Sequence, residues 1–262
     1  MGGESTTRTA PRSGGTGSGT AAGSGRLGQR LSGVAVALGL VLFLGGFAWA
    51  AVSYRPYTVP TGSMTPTIDA GDRVLAQRVG GDEVRRGDVV VFRDSSWVTG
   101  SDVVKRVVAV GGDTVSCCTD GKLTVNGKQI EEPYLPKGSL AENQDFPTVT
   151  VPRGRLFLLG DERQGSLDST AHLTDAAKGT VARTAVIARV DSVVFPWKGA
   201  LKRPTGFEAL GALSRPGPLS TIELLIVVGA VLVLGGGAYG PIARRAGRSR
   251  ARAARAEAAG VR

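Results

Sequence analysis

The sequence predicts a mainly β protein, a body of antiparallel and mixed sheets with a transmembrane helix before it and another after it. Two long uncharged runs, residues 31–54 and 224–243, stand on either side of the middle of the chain. The middle contains short Val- and Leu-rich runs separated by turn-forming residues, which is typical of strands. It shows no amphipathic helical pattern of ten or more residues, so we expect the body itself to be all β.

Residues 1–30 predict a disordered tail. Eighteen of these thirty residues are Gly, Ser or Thr. Such a segment buries too little apolar surface to offset the conformational entropy that ordering would cost.

Residues 31–54 predict the first transmembrane helix. The run lies between Arg30 and Arg55 and carries no formal charge over its 24 residues. As a helix it would be about 36 Å long, enough for a hydrocarbon core of about 30 Å. Its small-x-small sequence 48–50 would also suit removal of the run as a secretory signal after Ala50. The run exceeds the usual 7–15 residues of a signal core, however, so we expect it to be retained.

Residues 221–243 predict the second transmembrane helix, and residues 244–262 a basic tail. The apolar part ends in Arg244-Arg245, and the tail holds seven Arg against one Glu. Basic segments that flank membrane spans stay on the cytoplasmic side. Both termini are then cytoplasmic, and residues 55–220 form an extracytoplasmic domain. A buried core helix is the alternative for this run, and the flanking arginines weigh against it.

The net charge of +10 belongs mostly to the two tails. Residues 1–30 contribute +3 and residues 244–262 contribute +6, which leaves +1 for the rest of the chain. We therefore expect no nucleic-acid partner, and we interpret the C-terminal Arg/Ala run as a topology signal attracted to anionic lipid headgroups.

Seven runs in the body predict strands. They are residues 73–79, 88–93, 103–110, 123–125, 148–151, 156–160 and 186–194. Around the fourth run, Asp120-Gly121 and Asn126-Gly127 are typical of two-residue hairpin turns. We therefore expect a small hairpin unit at that point.

The residue composition restricts the possible chemistry. The chain has one histidine, His172, so a site with two imidazoles is excluded, and we interpret this residue as part of a surface loop. The two cysteines, Cys117 and Cys118, are adjacent, which excludes a Cys-x-x-Cys site. They would form a vicinal disulfide, pair between chains or remain thiols. No metal or nucleotide motif is present, so we expect no cofactor and no metal.

Ser63 and Lys105 form the nucleophile and base pair that this composition leaves open. Ser63 lies between Pro60 and Pro66, which restrict the backbone on either side of it. Lys105 lies in a predicted strand whose alternate residues are apolar, so one strand face would carry the amine among apolar side chains. Desolvation there would lower the pKa of Lys105. A turn serine and an exposed strand lysine are the alternative interpretation of this spacing.

Five sequence blocks in order resemble the type I signal peptidases (leader peptidases), a family of membrane-bound Ser/Lys serine proteases. The blocks are PTGSMTPTI at 60–68, GDRV at 71–74 with RGDVVVF at 86–92, KRVVAVGGD at 105–113, VPRG at 151–154 with FLLGD at 157–161, and GDERQGSLDST at 160–170. The resemblance covers roughly residues 31–198. It implies a β-rich catalytic body with a long coiled sheet, in agreement with the strand pattern.

The resemblance also implies roles for particular residues. Ser63 would be the nucleophile and Lys105 the general base. The backbone N–H of Ser63 and the hydroxyl of Thr61 would bind the oxyanion, and Ser166 would orient the lysine. Three residues match those that brace the site: Asp161, Arg163 and Asp168.

Four positions depart from the family pattern in the last block. Glu162, Gln164, Gly165 and Thr170 stand where the family has Asn, Asp, Asn and Arg. The absence of an Arg at position 170 removes an expected partner of the nearby carboxylates in the brace.

The implied function is signal peptide removal from secreted preproteins, after small-x-small sites, by a membrane-bound serine endopeptidase. The partners would be preproteins and the lipid bilayer, and the resemblance implies that this bilayer is the plasma membrane of a bacterial cell. An extended substrate would add as a strand beside residues 103–105, with small side chains in shallow apolar pockets. The expected pocket walls are Val59, Pro60, Met64, Val103 and Val104. Two other functions stay open: an inactive membrane-tethered binding module, and a relative dedicated to pilin-like surface proteins.

Overall fold

The computed structural model describes residues 23–136 and 145–259. Of the predicted disordered tail, residues 1–30, the part up to residue 22 lies outside the described residues, whereas residues 23–30 are helical and do not match the prediction. The chain divides into two compact units, one made of the helical segments up to Gly45 and from Leu225, the other comprising Gly46–Leu224.

Two long helices, α1 (Gly23–Ser53) and α2 (Leu219–Ala259), contain the two apolar runs. Gly28–Ser53 and Leu219–Tyr239 are long and apolar enough to cross a membrane. Helix α1 begins before the predicted span, because residues 23–30 are also helical, and it ends one residue earlier than predicted.

Small residues allow the helices of the first unit to approach closely. A Cβ placed on Gly39 would lie 2.8 Å from the carbonyl oxygen of Gly229, and the hydroxyl of Ser32 donates to the carbonyl of Gly236 at 2.7 Å. Large apolar side chains of the same helices, such as Val41 and Leu234, remain exposed. Close packing through glycine with apolar side chains facing outward is typical of membrane helices.

The described part of the second unit contains twelve strands. They are β1 (Tyr54–Thr58), β2 (Arg73–Gln77), β3 (Val89–Phe92), β4 (Val103–Val110), β5 (Thr114–Thr119), β6 (Lys122–Val125), β7 (Lys128–Gln129), β8 (Phe146–Thr150), β9 (Arg155–Leu159), β10 (Thr180–Ala182), β11 (Val186–Phe195) and β12 (Gly199–Ala200). A large sheet has the order β1-β2-β11-β3-β4-β9-β10, with β12 beside β11, and a small sheet has the order β7-β6-β5-β8. Every strand pair among the described residues is antiparallel. The mainly β fold class with two flanking helices is confirmed.

The expected hairpin unit is present. Strand β6 pairs with β5 on one side and with β7 on the other. Asp120 and Asn126 adopt left-handed φ values of 53°, and the glycine after each does so too. Two consecutive residues with positive φ match the right-handed twist of the flanking strands, which is why Asp-Gly and Asn-Gly are found there.

Strand β1 was not anticipated from the sequence. Its residues Tyr54–Thr58 include Pro56 and lack a run of Val or Leu. Proline is tolerated at a sheet edge, and β1 is one of the two edge strands of the large sheet, where among the described residues it pairs with β2 alone. The chain therefore turns from helix α1 into the sheet with no intervening linker.

Candidate active site

The segment between β1 and β2 positions Ser63. Its apolar residues Val59, Met64 and Ile68 are fully buried in a core cluster beneath the large sheet. The amide of Thr65 donates to the carbonyl of Gly62 at 3.0 Å, which closes a tight turn around the serine. Because the neighbouring side chain at position 64 points into the core, Ser63 itself is left half-buried.

Strand β4 positions Lys105. Val90 of β3 is its register partner, and the lysine side chain is only 4% exposed. The next residue, Arg106, is also buried, and successive strand residues point to opposite faces. Two cations of one strand are therefore buried on opposite faces of the sheet.

The tips of Ser63 and Lys105 meet. Lys105 Nζ lies 2.7 Å from Ser63 Oγ, although 42 residues separate them in the chain. Burial lowers the pKa of the Lys105 amine from 10.5 to about 8, against the opposing effect of the carboxylates of Asp168 and Asp161. A lowered pKa makes the neutral amine accessible near neutral pH, and a neutral amine accepts a hydrogen bond from the serine hydroxyl.

Thr61 lies beside the serine. Its hydroxyl is 3.4 Å from Ser63 Oγ and is exposed. The backbone N–H of Ser63 donates to no group within the described parts of the chain. Two donors close to the hydroxyl are thus available to a ligand atom.

Ser166 lies close behind the pair, but no hydrogen bond joins it to Lys105. Its hydroxyl is buried and has no hydrogen-bond partner among the described residues. Gly160 lies against it, since a Cβ at Gly160 would overlap the Ser166 side chain and lie 2.5 Å from the carbonyl oxygen of Ser63. The lysine-orienting role of Ser166 stays a prediction.

A buried ion pair supports the site from the other face of β4. Arg106 binds Asp161 through two hydrogen bonds of 2.8 and 2.6 Å, and both side chains are almost fully buried. Thr67 donates to the same carboxylate at 2.5 Å. Since Thr67 follows the serine turn, Asp161 joins that turn to β4 and to the end of β9.

Arg163 has a partner that no motif indicated. Its guanidinium donates to Glu132 at 3.0 and 2.6 Å and to the carbonyl of Gly160 at 2.9 Å. The ring of Tyr134 lies 3.9 Å below the guanidinium carbon of Arg106. The segment after β7 thus supplies both residues, one for each buried arginine.

Asp168 is held by short-range hydrogen bonds. It accepts from the amide of Gly160 at 2.9 Å and from the amide and hydroxyl of Thr170 at 3.0 and 2.8 Å. The family that the sequence resembles has Arg at position 170. In this chain the hydroxyl of Thr170 is the hydrogen-bond partner of the Asp168 carboxylate instead.

A cavity of about 570 Å³, which we call the serine cleft, opens over the pair. Its lining comprises Val59, Pro60, Thr61, Gly62, Ser63, Val98, Ser101, Asp102, Val103, Val104, Lys105, Glu162, Gly165 and Leu167. Four of the five expected pocket residues belong to it. The fifth, Met64, does not line the cleft, because its side chain is fully buried in the core cluster that also contains Ile68. Val98 and Leu167 come from loops, where no periodic pattern announces which side chain faces a ligand.

The remaining candidates lie outside the serine cleft. His172 pairs with Asp175 at 2.8 Å and stacks on Trp97 with ring centroids 4.5 Å apart. Cys117 and Cys118 are joined by a disulfide in β5.

Comparison with known proteins identifies the family of the chain. The family model for "Signal peptidase, peptidase S26" matches residues 30–197. Signal peptidase I of Mycobacterium tuberculosis is 35% identical over 193 residues, which cover 54% of this chain and 65% of that protein. Signal peptidase I of Bacillus amyloliquefaciens is 32% identical over 176 residues, covering 63% of this chain and 83% of that protein. The match thus spans slightly less than two thirds of the mycobacterial protein.

Among solved structures, a signal peptidase I from Enterococcus faecalis V583 is 30% identical and covers 45% of this chain and 96% of that one, with a TM-score of 0.32. The family match covers well over half of the chain and includes both Ser63 and Lys105. The chain belongs to the signal peptidase family, peptidase S26, and the resemblance seen in the sequence is confirmed.

Proposed function

We propose that this protein is a signal peptidase I, a serine endopeptidase that removes signal peptides from secreted preproteins after small-x-small sites. Ser63 is the nucleophile and Lys105 the general base. The observation that carries the proposal is the 2.7 Å contact between Ser63 Oγ and a buried amine whose pKa is lowered to about 8. Membership of the peptidase S26 family supports the reaction class.

In the first step the neutral amine of Lys105 takes the hydroxyl proton of Ser63 while Oγ forms a bond to the scissile carbonyl carbon. The carbonyl oxygen becomes an oxyanion. The backbone N–H of Ser63 and the hydroxyl of Thr61 supply the donors for it, and a fixed donor of this kind is worth about 10²–10³ in rate.

In the second step the lysine ammonium returns its proton to the departing amine as the peptide bond breaks. The mature protein leaves, and the signal peptide remains as an ester on Ser63. A water molecule then attacks the ester carbonyl carbon while Lys105 accepts its proton. The lysine ammonium passes that proton to Ser63 Oγ as the ester C–O bond breaks, and the signal peptide departs with a new carboxyl terminus.

One edge of β4 supports an extended substrate. Residues 103–105 pair with β3, whereas pairing with β9 begins only at Arg106. The other edge of residues 103–105 is therefore unpaired within the described residues, and it lies in the wall of the serine cleft. A peptide added as a strand there would use these backbone groups. Apolar walls at Val59, Pro60, Val103 and Val104 leave room for small side chains.

We further propose that both apolar helices span the bacterial plasma membrane, with the termini cytoplasmic and the β body outside. The length and composition of Gly28–Ser53 and Leu219–Tyr239 support the spans. The arginines after the second span support the orientation. Preproteins anchored in the same bilayer would then be the substrates.

The test is cleavage of a preprotein with an Ala-x-Ala site by the full-length protein in neutral detergent. Wild type is expected to cut once after the second Ala. A positioned general base usually contributes about 10²–10⁴-fold to the rate. Lys105→Ala is expected to lower kcat by a factor in this range, and Ser63→Ala by at least as much. Product mass defines the cut, and initial rates give kcat.

The matched control is His172→Ala, which removes the one imidazole of the chain and should leave kcat unchanged. Full activity of Lys105→Ala, or loss of activity in His172→Ala alone, would show that the Ser/Lys assignment is incorrect. Absence of cleavage by the wild type at any enzyme concentration would favour the inactive binding module.

A further inference from the structure

A second cavity, of about 420 Å³, lies elsewhere in the β body. We call it the arginine cavity. Its lining comprises Gln77, Glu83, Arg85, Arg189, Ala212, Leu213, Ser214, Arg215, Pro216, Gly217 and Pro218. None of these residues lines the serine cleft. Three guanidinium groups against one carboxylate give the lining a charge of +2.

The two exposed arginines of the cavity keep unused donors. Arg215 makes no hydrogen bond or ion pair within the described residues. In the part of the chain that the structure describes, Arg85 uses only Nη1, which donates to the carbonyls of Asp82 and Val84 at 2.6 and 3.2 Å. The only acid of the lining, Glu83, accepts from the amide of Gly80 at 3.2 Å and makes no ion pair among the described residues.

The third arginine is fixed and only partly neutralised. Arg189 is 5% exposed and donates to Gln77 at 2.7 Å, with a longer contact of 3.4 Å to Asp191. Asp191 makes a much shorter ion pair, of 2.5 Å, with Arg203. The charge of Asp191 is therefore shared between two arginines. The buried guanidinium of Arg189, in the cavity wall, is only partly neutralised and still attracts an anion.

Neighbouring groups show that the region is electropositive. Burial and the charges of Arg85 and Arg86 lower the pKa of Arg183, whose guanidinium lies close by on the carbonyls of Gly81 and Val84. A concave surface with three arginines and one carboxylate has a net positive charge, and such a surface attracts anions.

The position of the cavity on the chain indicates the source of the anion. Pro218 lines the cavity, and the apolar helix Leu219–Tyr239 begins at the next residue. Gln77 also lines it, and its register partner in β1 is Tyr54, the first residue after helix α1. The β-body ends of both apolar helices are thus connected directly to the cavity wall. If the helices span a bilayer, these residues lie at the level of the lipid headgroups.

We propose that the arginine cavity binds a phosphate group, supplied by the headgroup of a phospholipid in the leaflet next to the β body. Arg85 and Arg215 bind its oxygens through paired N–H donors, and Arg189 supplies the buried charge. The site depends on the membrane spans proposed above but not on peptidase activity, because it shares no residue with the serine cleft. Bound lipid would hold the β body at a fixed depth beside the bilayer.

Native mass spectrometry of the full-length protein in neutral detergent tests the proposal. One arm titrates dioleoylphosphatidylglycerol, and dioleoylglycerol, which lacks the phosphate, serves as the reference lipid. A second arm measures inorganic phosphate by calorimetry. We expect one saturable phosphatidylglycerol site and little retention of dioleoylglycerol.

The decisive variant is Arg85→Lys combined with Arg215→Lys. It keeps the charge but loses the paired donors, so binding of phosphatidylglycerol should weaken about tenfold. Arg153→Lys, an exposed arginine on the turn before β9, is the matched control and should bind as wild type does. Urea unfolding checks that each variant is folded. Because neither lipid binding nor unfolding is measured through cleavage, the result does not depend on whether the wild type cleaves preproteins.

Each result of this experiment decides the proposal. The proposal of a headgroup site is supported if the affinity for phosphatidylglycerol falls in the double variant while Arg153→Lys binds as wild type does. If only the affinity for inorganic phosphate falls, the cavity takes the free ion, and the lipid source is overturned. Equal affinities in wild type, control and double variant in both arms would mean that the lining arginines attract anions only by general charge, which overturns the site.

Discussion

Lys105 and Arg106 are neighbours on β4, both buried and both basic, yet their pKa values shift in opposite directions on the two faces of the sheet. Lys105 faces the serine cleft and has a hydroxyl, not a carboxylate, at hydrogen-bond distance. Burial lowers its pKa to about 8. Burial also acts to lower the pKa of Arg106, but the charge and hydrogen bonds of Asp161 outweigh it, and the pKa rises.

The difference shows how one strand provides both a base and a scaffold. A buried cation without a directly bonded carboxylate is destabilised and yields its proton, which is what a general base requires. A buried cation with a bidentate carboxylate keeps its charge and fixes the elements that carry both partners. Four predictions test this contrast, from the largest expected effect to the smallest.

Removing the carboxylate behind the sheet should have the largest effect on stability. Asp161→Asn leaves Arg106 buried without a counter-charge, and the free energy of unfolding should fall by about 3–5 kcal/mol. Urea unfolding in detergent, followed by tryptophan fluorescence, measures the change.

The control replaces both partners by apolar residues, Asp161→Leu with Arg106→Met. Because no unpaired charge remains, most of the lost stability should return. If Asp161→Asn alone were as stable as wild type, water would reach Arg106, and the two faces of β4 would not differ as described.

Removing the Lys105 amine from the serine cleft should change the free energy of unfolding in the opposite direction. At pH 7 the folded protein must hold a protonated Lys105 that its surroundings disfavour, so Lys105→Met should raise the free energy of unfolding, by at most about 3 kcal/mol. Between pH 8 and pH 10.5 the unfolded chain binds a proton at this lysine that the folded protein does not. Wild-type stability should therefore rise with pH across that window, and the advantage of the variant should fade.

Urea midpoints of wild type and Lys105→Met at pH 7 and pH 10 measure this effect. Lys202→Met, at an exposed lysine, is the matched control and should show no such window. A Lys105→Met protein less stable than wild type at pH 7 would contradict the desolvation of the amine.

The pH dependence of cleavage gives the third prediction. Only the neutral form of Lys105 accepts the proton of Ser63, so kcat/KM should rise with an apparent pKa of about 8. Below that value it should fall about tenfold per pH unit. Initial rates from pH 6 to pH 10 give the profile, and a limb near pH 10.5 would assign an ordinary solvated lysine instead.

The smallest effect is expected where a hydrogen bond stands in place of an ion pair. Thr170→Ala removes the hydroxyl bond to Asp168 and should cost about 1 kcal/mol of unfolding free energy. Thr170→Ser keeps the hydroxyl and should retain most of the wild-type stability. If the two variants were equally destabilised, the methyl group of Thr170, and not its hydroxyl, would be the stabilising group.

The sequence alone identified the parts of the molecule that depend on neighbours along the chain. The apolar runs inside α1 and α2 follow from composition, the seven strand runs from Val and Leu spacing, and the hairpin from its Asp-Gly and Asn-Gly turns. The motifs around Ser63 and Lys105 supplied the candidate pair, because each residue lies in its own short block.

Only the tertiary structure decided which distant groups meet. Glu132 pairs with Arg163 across 31 residues and Asp161 with Arg106 across 55, distances over which no periodic pattern operates. Met64 belongs to the serine motif yet faces the core, since the turn directs adjacent side chains to opposite sides. The arginine cavity, like the 2.7 Å contact of Ser63 with Lys105, exists because strand pairing brings remote segments side by side, and charge and burial are properties of that packing.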